Sequence, residues 1–129
     1  WLKVMHVNVN AAFIVTQALL PLLRLSADAS VVFTSSGVSV RGRAYWGAYA
    51  ASKFAVEGLM QVLADETDTV THIRSNSVNP GRMRTPMRAA AYPGEAPDTL
   101  PTPDQVLGPF LYLLGPESRG ITGRRFDAQ

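Results

Sequence analysis

Cysteine is absent from this chain of 129 residues, and histidine occurs only twice. Without cysteine the chain has no disulfide, no thiolate metal site and no cysteine nucleophile. His6 and His72 lie far apart in the sequence with no ligand spacing around them, so we expect no metal site. A chain without cysteine suits a reducing compartment, and we expect a cytoplasmic protein.

Charge of either sign is sparse, because Lys, Arg, Asp and Glu make up 17% of the chain and the formal net charge is +2. No run rich in lysine and arginine of the kind that binds nucleic acid is present, so we expect no nucleic-acid partner. Uninterrupted apolar runs stay short of the roughly 20 residues that cross a bilayer, so we also expect no membrane association.

What the chain does contain is a regular alternation of helical and extended patterns. Apolar residues at a spacing close to 3.6 predict a helix over 2–23 and a second helix over 48–65. Short runs at 30–35 and 72–79 predict strands, the first of them buried on both faces as in a parallel sheet. Four further elements are expected: a short helix over 86–91, a proline-rich loop or lid over 92–103, a helix over 103–114 capped by Thr102, and a last strand over 123–127.

The order of these elements, αβαβαβ, implies right-handed crossovers and a parallel α/β sheet. The chain opens on Trp1 in a helical pattern with no capping residue before it, which is unusual for a complete domain. We therefore expect residues 1–129 to form a single partial domain, the C-terminal part of a longer chain. The strand over 30–35 would then present an unpaired edge.

Tyr49 and Lys53 are four residues apart near the start of the second predicted helix, a spacing that puts both side chains on one face. An unperturbed tyrosine has a pKa of about 10, and a neighbouring ammonium lowers it by favouring the phenolate. Such a tyrosine exchanges a proton with an alcohol oxygen near neutral pH. Taken alone, the pair is more often a core tyrosine beside a surface lysine.

Three further segments carry polar groups at places that suit a ligand. Ser36 stands thirteen residues before Tyr49, at the C-terminal end of a predicted strand, where open α/β sheets bind ligands. The Asn79-Pro80-Gly81 segment ends the next strand and faces the same crevice. Asn8 and Asn10 place amides in an otherwise apolar helix, which is costly unless the amides are bonded. Each segment also has an ordinary interpretation, as a turn or as the exposed face of a helix.

Together these segments resemble the short-chain dehydrogenase/reductase family. The matching pieces are NVNAAF, VVFTSSG, YAASK and NPGRMRTPM, in the order and close to the spacing of that family, and their combination is far more specific than any one piece. The stretch from NPGRMRTPMRA to the terminal FDAQ is similar to a bacterial subgroup of uncharacterised oxidoreductases. The implied fold is the C-terminal half of a Rossmann-type, doubly wound parallel sheet in three α/β/α layers, with the N-terminal half missing from this chain.

The resemblance also implies a reaction: hydride transfer between a nicotinamide cofactor, NADP or NAD with NADP preferred, and a small-molecule carbonyl or alcohol. Tyr49 would be the general acid/base, and Lys53 would lower its pKa and bind the nicotinamide ribose. Ser36 would orient and polarise the substrate oxygen, and Asn8 would hold a water that links Lys53 to solvent. Three residues would contact the cofactor: Pro80 and Gly81 at the nicotinamide, and Thr85 at its carboxamide or at a phosphate.

The family pattern is incomplete, because no Gly-x-x-x-Gly-x-Gly segment occurs in these residues to cradle a pyrophosphate. A second interpretation is therefore a truncated, catalytically silent fragment that acts only as an association module. A third, a sugar-nucleotide epimerase or dehydratase, shares Tyr-x-x-x-Lys, but the compact C-terminal region argues against it.

Two further expectations concern an interface between subunits and the substrate pocket. The family implies a homodimer or homotetramer in which helices 2–23 and 48–65 pair across a two-fold axis. The substrate pocket would be shaped by the lid over 92–103 and by Arg82, Arg84 and Arg88, which either bind a negatively charged group or are solvated charges.

Overall fold

The structure is a computed structural model that describes residues 1–129. Strand β1 covers Ala29–Thr34, β2 covers Ile73–Asn79 and β3 covers Arg125–Asp127. All three strands are parallel, in the order β1-β2-β3. Parallel neighbours need a crossover connection, usually helical, and a helix lies in each connection here. The predicted parallel α/β sheet is confirmed.

Helices connect the strands, and the two long helices follow the apolar periodicity of the sequence. Helix α1 spans Leu2–Leu25, with one wider π turn at His6–Asn10 between its α-helical segments. Helix α2 covers Gly47–Thr67. Two short helices follow, α3 at Pro86–Ala91 and α4 at Gly108–Leu114.

Helices α1 and α2 cover one face of the sheet, and α4 covers the other. On the opposite face from α2, the Ser30 hydroxyl donates to the carbonyl oxygen of Leu113 in α4 at 2.7 Å, and Leu113 is fully buried. This is the three-layer α/β/α arrangement expected from the sequence. The core between β1 and the long helices consists of Phe33, Val56, Met60 and Leu63, with Ala12, Leu20 and Val31 packed against it.

Strand β2 is polar in sequence, yet it is deeply buried. Ser75, Asn76 and Ser77 have no exposed surface. The Ser75 hydroxyl donates to the carbonyl oxygen of Met60 in α2 at 2.8 Å, and Asn76 Nδ2 donates to that of Ile121 at 2.7 Å. Because a buried polar group is costly unless it is hydrogen-bonded, these bonds fix α2 and the segment before β3 against the central strand.

Two predicted boundaries are wrong. The helix expected over 103–114 is a 3₁₀ turn at Pro103–Val106 followed by α4, because Pro109 has no N–H with which to continue a helix. Thr102 does cap the 3₁₀ turn, in a capping box where its N–H donates to Gln105 Oε1 at 2.8 Å. The last strand is shorter than 123–127, because Gly123 adopts a left-handed φ of +67° before it.

Helix α1 exposes an apolar face, and none of its residues is buried. Its 24 residues are long and apolar enough to cross a membrane by length and composition alone. Asn8 and Asn10 break the apolar run of this helix, so the statement about uninterrupted runs still holds, and the absence of membrane association stays a prediction. Core helices of soluble proteins have the same length and composition.

An open groove of about 520 Å³ runs between α1 and β1. Val15 and Leu19 lie along one wall, and residues 30–34 form the other. Strand β1 pairs only with β2, so its second edge is unpaired, as predicted for the strand over 30–35.

Candidate active site

Strands β1 and β2 end side by side, and the turns that follow them are in contact. The Ser35 N–H donates to the carbonyl oxygen of Val78 at 2.7 Å, which continues the pairing one residue past Thr34. A Cβ added at Gly37 would lie 3.9 Å from Nδ2 of Asn79. The turn that carries Ser36 and the turn that begins at Asn79 therefore border one crevice, at the carboxyl edge where open α/β sheets bind ligands.

Tyr49 and Lys53 lie near the start of α2, at the same edge of the sheet. The Lys53 ammonium is 5.7 Å from the centroid of the Tyr49 ring. It donates a hydrogen bond to the carbonyl oxygen of Thr34 at 2.8 Å. Because Thr34 ends β1 and stands two residues before Ser36, the structure brings Tyr49 and Lys53 together at the strand end that leads into Ser36.

The surroundings of Lys53 shift its pKa. Burial lowers the pKa of Lys53 from its ordinary value, and the negative charge of Glu57 acts in the opposite direction. An ammonium has three N–H donors, and Thr34 accepts from only one of them. Lys53 is therefore a partly desolvated cation with capacity for further oxygen acceptors.

The Tyr49 and Ser36 hydroxyls take part in none of the hydrogen bonds within the chain, and both residues are partly exposed. Tyr49 is held instead through its ring, which meets the edge of Trp46 at a centroid distance of 5.7 Å. Its carbonyl oxygen accepts a hydrogen bond from the Ser52 hydroxyl at 2.7 Å. Both hydroxyls are thus free to bond a ligand oxygen.

Asn8 reaches α2 from the π turn of α1. Its Nδ2 donates to Oγ of Ser52 at 2.9 Å, and Ser52 is fully buried. Ser52 immediately precedes Lys53, so Asn8 fixes the backbone turn that carries Tyr49 and Lys53 and bonds to neither side chain. Asn10, the other amide of this helix, is exposed. A π turn inside an α-helix is often found at a functional site.

The segment after β2 holds the three residues expected to contact a cofactor. Pro80 is buried, and Gly81 adopts a left-handed φ of +75°, which glycine takes without strain. Gln129 Nε2 donates to the Pro80 carbonyl oxygen at 2.7 Å. Thr85 caps α3, since its Oγ1 accepts from the Arg88 N–H at 3.2 Å. Its hydroxyl hydrogen remains available to donate.

Sequence analysis missed Glu57, a buried charged residue near this edge that is only 7% exposed. Arg125 Nε lies 3.5 Å from its carboxylate. One signal was present in the sequence, because Glu57 continues the four-residue spacing of Tyr49 and Lys53. A glutamate in a helix is nevertheless ordinarily solvent-exposed. Its carboxylate accepts hydrogen bonds from the hydroxyls of Ser35, Ser39 and Ser77.

Aromatic rings form a wall beside Tyr49. The Trp46 ring lies between those of Tyr49 and Tyr92, at centroid distances of 5.7 and 6.0 Å. The guanidinium of Arg43 lies 5.3 Å from the centroid of the Trp46 ring. Tyr92 is the first residue of the proline-rich lid over 92–103, so the lid reaches the site through this ring.

The three arginines before the lid pair with its acids. Arg88 Nε lies 2.5 Å from Glu95 Oε2, and this contact raises the pKa of Arg88 and lowers the pKa of Glu95. Arg84 pairs with Asp98 at 3.3 Å, and Arg82 lies 3.8 Å from Glu95. These pairs hold the lid in place. The side chains of Arg82 and Arg84 are still 70% and 44% exposed, and both sequence-based interpretations of the three arginines stay predictions.

Comparisons with known proteins agree with this geometry. The profile of the short chain dehydrogenase family matches residues 1–96. The chain is 58% identical over its 129 residues to the oxidoreductase YciK of Escherichia coli strain K12, and it covers 50% of that protein. The bacterial subgroup expected from the C-terminal stretch is confirmed.

Solved structures share the fold. A short chain dehydrogenase from Shigella flexneri 2a, complexed with NADP, is 57% identical with a TM-score of 0.96. One from Escherichia coli CFT073, complexed with NADPH, is 58% identical with a TM-score of 0.95. Each match covers 100% of this chain and 53% of the solved chain. The chain therefore spans about half the length of the relatives it matches, as expected for one half of a Rossmann-type sheet.

Proposed function

Because this chain belongs to the short-chain dehydrogenase family, we propose that it forms the catalytic half of an oxidoreductase that transfers a hydride between NADP(H) and a small-molecule carbonyl or alcohol. One observation carries the proposal: Lys53 lies beside Tyr49 at the carboxyl edge of a parallel sheet. The relatives crystallised with NADP and NADPH support the choice of cofactor.

Tyr49 is the general acid/base of the proposed reaction. The nicotinamide, when bound, supplies or accepts the hydride. Reduction of a carbonyl then requires a proton on the carbonyl oxygen, which the Tyr49 hydroxyl gives; oxidation of an alcohol runs the same transfer in reverse. The positive charge of Lys53, 5.7 Å from the centroid of the Tyr49 ring, stabilises the negative charge that develops on the Tyr49 oxygen as the proton leaves.

Three residues support this transfer in the proposal. The free Ser36 hydroxyl donates to the substrate oxygen and holds it against Tyr49. Lys53 binds the nicotinamide ribose with the N–H donors that Thr34 leaves unused. Asn8 holds a water that links Lys53 to solvent through its side-chain oxygen, since its amide nitrogen already bonds Ser52.

The segment after β2 fits the nicotinamide end of the cofactor. Pro80 and Gly81 contact the nicotinamide in this proposal, on the side that the Gln129 side chain, packed against Gly81, leaves open. The Thr85 hydroxyl retains its hydrogen for a carboxamide oxygen or a phosphate. No glycine-rich pyrophosphate cradle occurs in these 129 residues, so binding by the chain alone would depend on this end of the cofactor.

The test of the proposal is Tyr49→Phe in the full-length protein. NADPH binding is followed by nucleotide fluorescence, and NADPH oxidation is followed with a panel of aldehydes and ketones. We expect Tyr49→Phe to abolish turnover and leave the Kd for NADPH unchanged, because only the proton donor is lost. Tyr112→Phe, on α4, is the matched control and should behave as the wild type. Near-wild-type turnover by Tyr49→Phe would refute the role of Tyr49.

Association through the long helices belongs to the same proposal, as does a cytoplasmic location. Phe54 and Val62 of α2 are 46% and 55% exposed, and Val15 of α1 is 56% exposed. Small residues on α2, among them Ala51, Ala55 and Gly58, allow another helix to approach closely. We propose a homodimer or homotetramer through α1 and α2, and light scattering that shows a monomer would contradict it.

A second candidate function is a catalytically silent association module. The observations that favour it are the unpaired edge of β1 and the apolar groove beside it, because an open strand edge pairs readily with another chain. The two candidates differ in NADPH binding, which the module lacks and the oxidoreductase requires.

A further inference from the structure

The carboxylate of Glu57 is an expensive group to bury, because a charge removed from water must be paired and hydrogen-bonded. Its nearest cation, Arg125, lies 3.5 Å away through Nε, and this Nε has no hydrogen-bond partner. Arg125 donates instead from Nη1 to Asp127 at 2.7 Å. The ion pair is therefore loose, and most of the stabilisation of Glu57 comes from hydroxyl groups.

Those hydroxyls belong to the turn that carries Ser36 and to the central strand. Ser35 and Ser39 stand on either side of Ser36 and both donate to Glu57 Oε1. Ser77 of β2 lies 3.0 and 2.8 Å from the two carboxylate oxygens. One carboxylate of α2 thus holds the turn after β1 and the strand beside it.

Lys53 holds the same turn from the next position on the same helix face. It stands four residues before Glu57, so the two side chains are neighbours on α2. Its ammonium donates to Thr34, the residue immediately before Ser35. The two side chains therefore bond consecutive residues of one turn, and Tyr49 lies one helical turn before Lys53.

We propose that Glu57 is a positioning residue that, with Lys53, clamps the 34–39 turn and the Ser36 hydroxyl against the face of α2 that carries Tyr49. This inference rests on the proposed function, because the placement of Ser36 and Lys53 matters only to a reaction at Tyr49. Glu57 itself is too deeply buried to touch a substrate.

The clamp also has an electrostatic consequence. The charge of Glu57 favours the Lys53 ammonium and opposes the effect of burial on the pKa of Lys53. The charged or titratable groups around this pair are Tyr49 on α2 and Arg125 on β3, the latter already bonded to Asp127. The groups that β1, β2 and α1 contribute are uncharged: the Thr34 carbonyl, the Ser77 hydroxyl and the Asn8 amide.

The experiment is a titration of the Lys53 amine in the full-length protein without nucleotide. It is followed by NMR of lysine labelled with nitrogen-15 and assigned with Lys53→Met. Glu57→Gln keeps the size of the side chain and removes its charge, and should lower the Lys53 midpoint by about one pH unit. Ser77→Ala removes one hydrogen bond to the same carboxylate but keeps the charge, and should leave the midpoint unchanged.

Glu57→Asp separates position from charge and serves as the second variant if Glu57→Gln does not fold. It keeps the negative charge but is one methylene too short to hold the serines. We expect it to retain the Lys53 midpoint, whereas the Ser39 amide, bonded to the Ser36 carbonyl at 3.0 Å, should exchange with solvent about tenfold faster.

A wild-type midpoint in Glu57→Gln, or wild-type exchange of the Ser39 amide in Glu57→Asp, would overturn the inference. Failure of the proposed function would be observed separately. In that case a fluorescence titration of the wild type would show no NADPH binding. The lysine titration and the amide exchange need no nucleotide, so they report on the clamp in either case.

Discussion

The two ends of strand β2 each adjoin a buried ionic cluster, and the clusters differ in how fully their bonds are used. At the amino end, Arg74 donates to Asp28 at 2.7 Å and to the carbonyl oxygen of Gly115 at 3.2 Å, and it also bonds Ser118. Asp28 accepts a second arginine, Arg119, at 2.9 Å. The cluster joins three segments of the chain and leaves only Arg74 Nε unpaired.

At the carboxyl end, several hydrogen-bond donors around Tyr49 have no partner within the chain. Glu57 is surrounded by hydroxyls, but Lys53 uses one donor of three and the Tyr49 and Ser36 hydroxyls use none within the chain. A cluster whose bonds are satisfied internally stabilises the fold, whereas a cluster with unused donors stabilises whatever ligand completes it. We therefore expect substitutions at the carboxyl end to affect function and substitutions at the amino end to affect stability.

The largest effect expected from this comparison is on turnover, with Lys53→Met. Loss of the ammonium removes the charge that stabilises the negative charge developing on the Tyr49 oxygen, and turnover should fall on the order of a thousandfold. The free energy of unfolding should not fall, because the change removes a partly desolvated charge. Steady-state NADPH oxidation and urea denaturation measure the two quantities. A stability loss as large as the activity loss would remove the distinction between the two ends.

The converse change is Arg74→Met at the amino end. It leaves the Asp28 carboxylate with only the exposed Arg119, and should lower the free energy of unfolding by about 3 kcal/mol. We take the lower end of the range for a broken buried pair because the Asp28 side chain is 26% exposed. The kcat of the folded protein should remain near that of the wild type.

Arg119→Met is the matched control for that change, since the Arg119 side chain is 68% exposed and contacts the same carboxylate. Its loss should cost less than about 1 kcal/mol. Equal losses for Arg74→Met and Arg119→Met in urea denaturation would mean that burial does not decide the strength of this cluster.

The sequence predicted the two long helices and the central strands because their apolar spacing is regular and local. It also identified Tyr49 and Lys53, whose four-residue spacing on a helix is enough to bring them together. The break at Pro109 was visible in the sequence, but an apolar periodicity that continues across it hid the interruption. Local pattern thus predicts where an element lies better than where it ends.

The burial of Glu57 was not predictable in the same way. Its partners come from the turn after β1, from β2 and from β3, and no local spacing connects those segments. Polar residues in β2 were a weak sign, since Ser77 makes sense in a buried strand only with a partner across the sheet. Contacts that join distant segments depend on tertiary packing, which a helical or strand period does not contain.

A smaller effect is expected on the pH dependence of stability. The pKa of Lys53 is lower in the folded protein than in the unfolded chain, so the unfolded chain binds more protons between the two values. The contribution of Lys53 to the free energy of unfolding therefore rises as the pH increases from the folded pKa towards 10.5, the ordinary pKa of lysine. Urea denaturation of the wild type and Lys53→Met should diverge in this alkaline window. Parallel curves would show that Lys53 is not desolvated.

The smallest effect is expected at the half-buried ion pair of the lid. Arg88 and Glu95 repeat the chemistry of Arg74 and Asp28, but the Arg88 side chain is 16% exposed and that of Arg74 only 6%, so salt should screen the lid pair more strongly. Glu95→Gln should therefore lower the melting temperature slightly in dilute buffer, and about 1 M salt should abolish the difference from the wild type. The loss caused by Arg74→Met should largely persist in the same salt, because Arg74 is buried and also bonds Gly115 and Ser118. A salt-resistant effect of Glu95→Gln would mean that the lid is packed as tightly as the amino end of β2, and burial would no longer separate the two pairs.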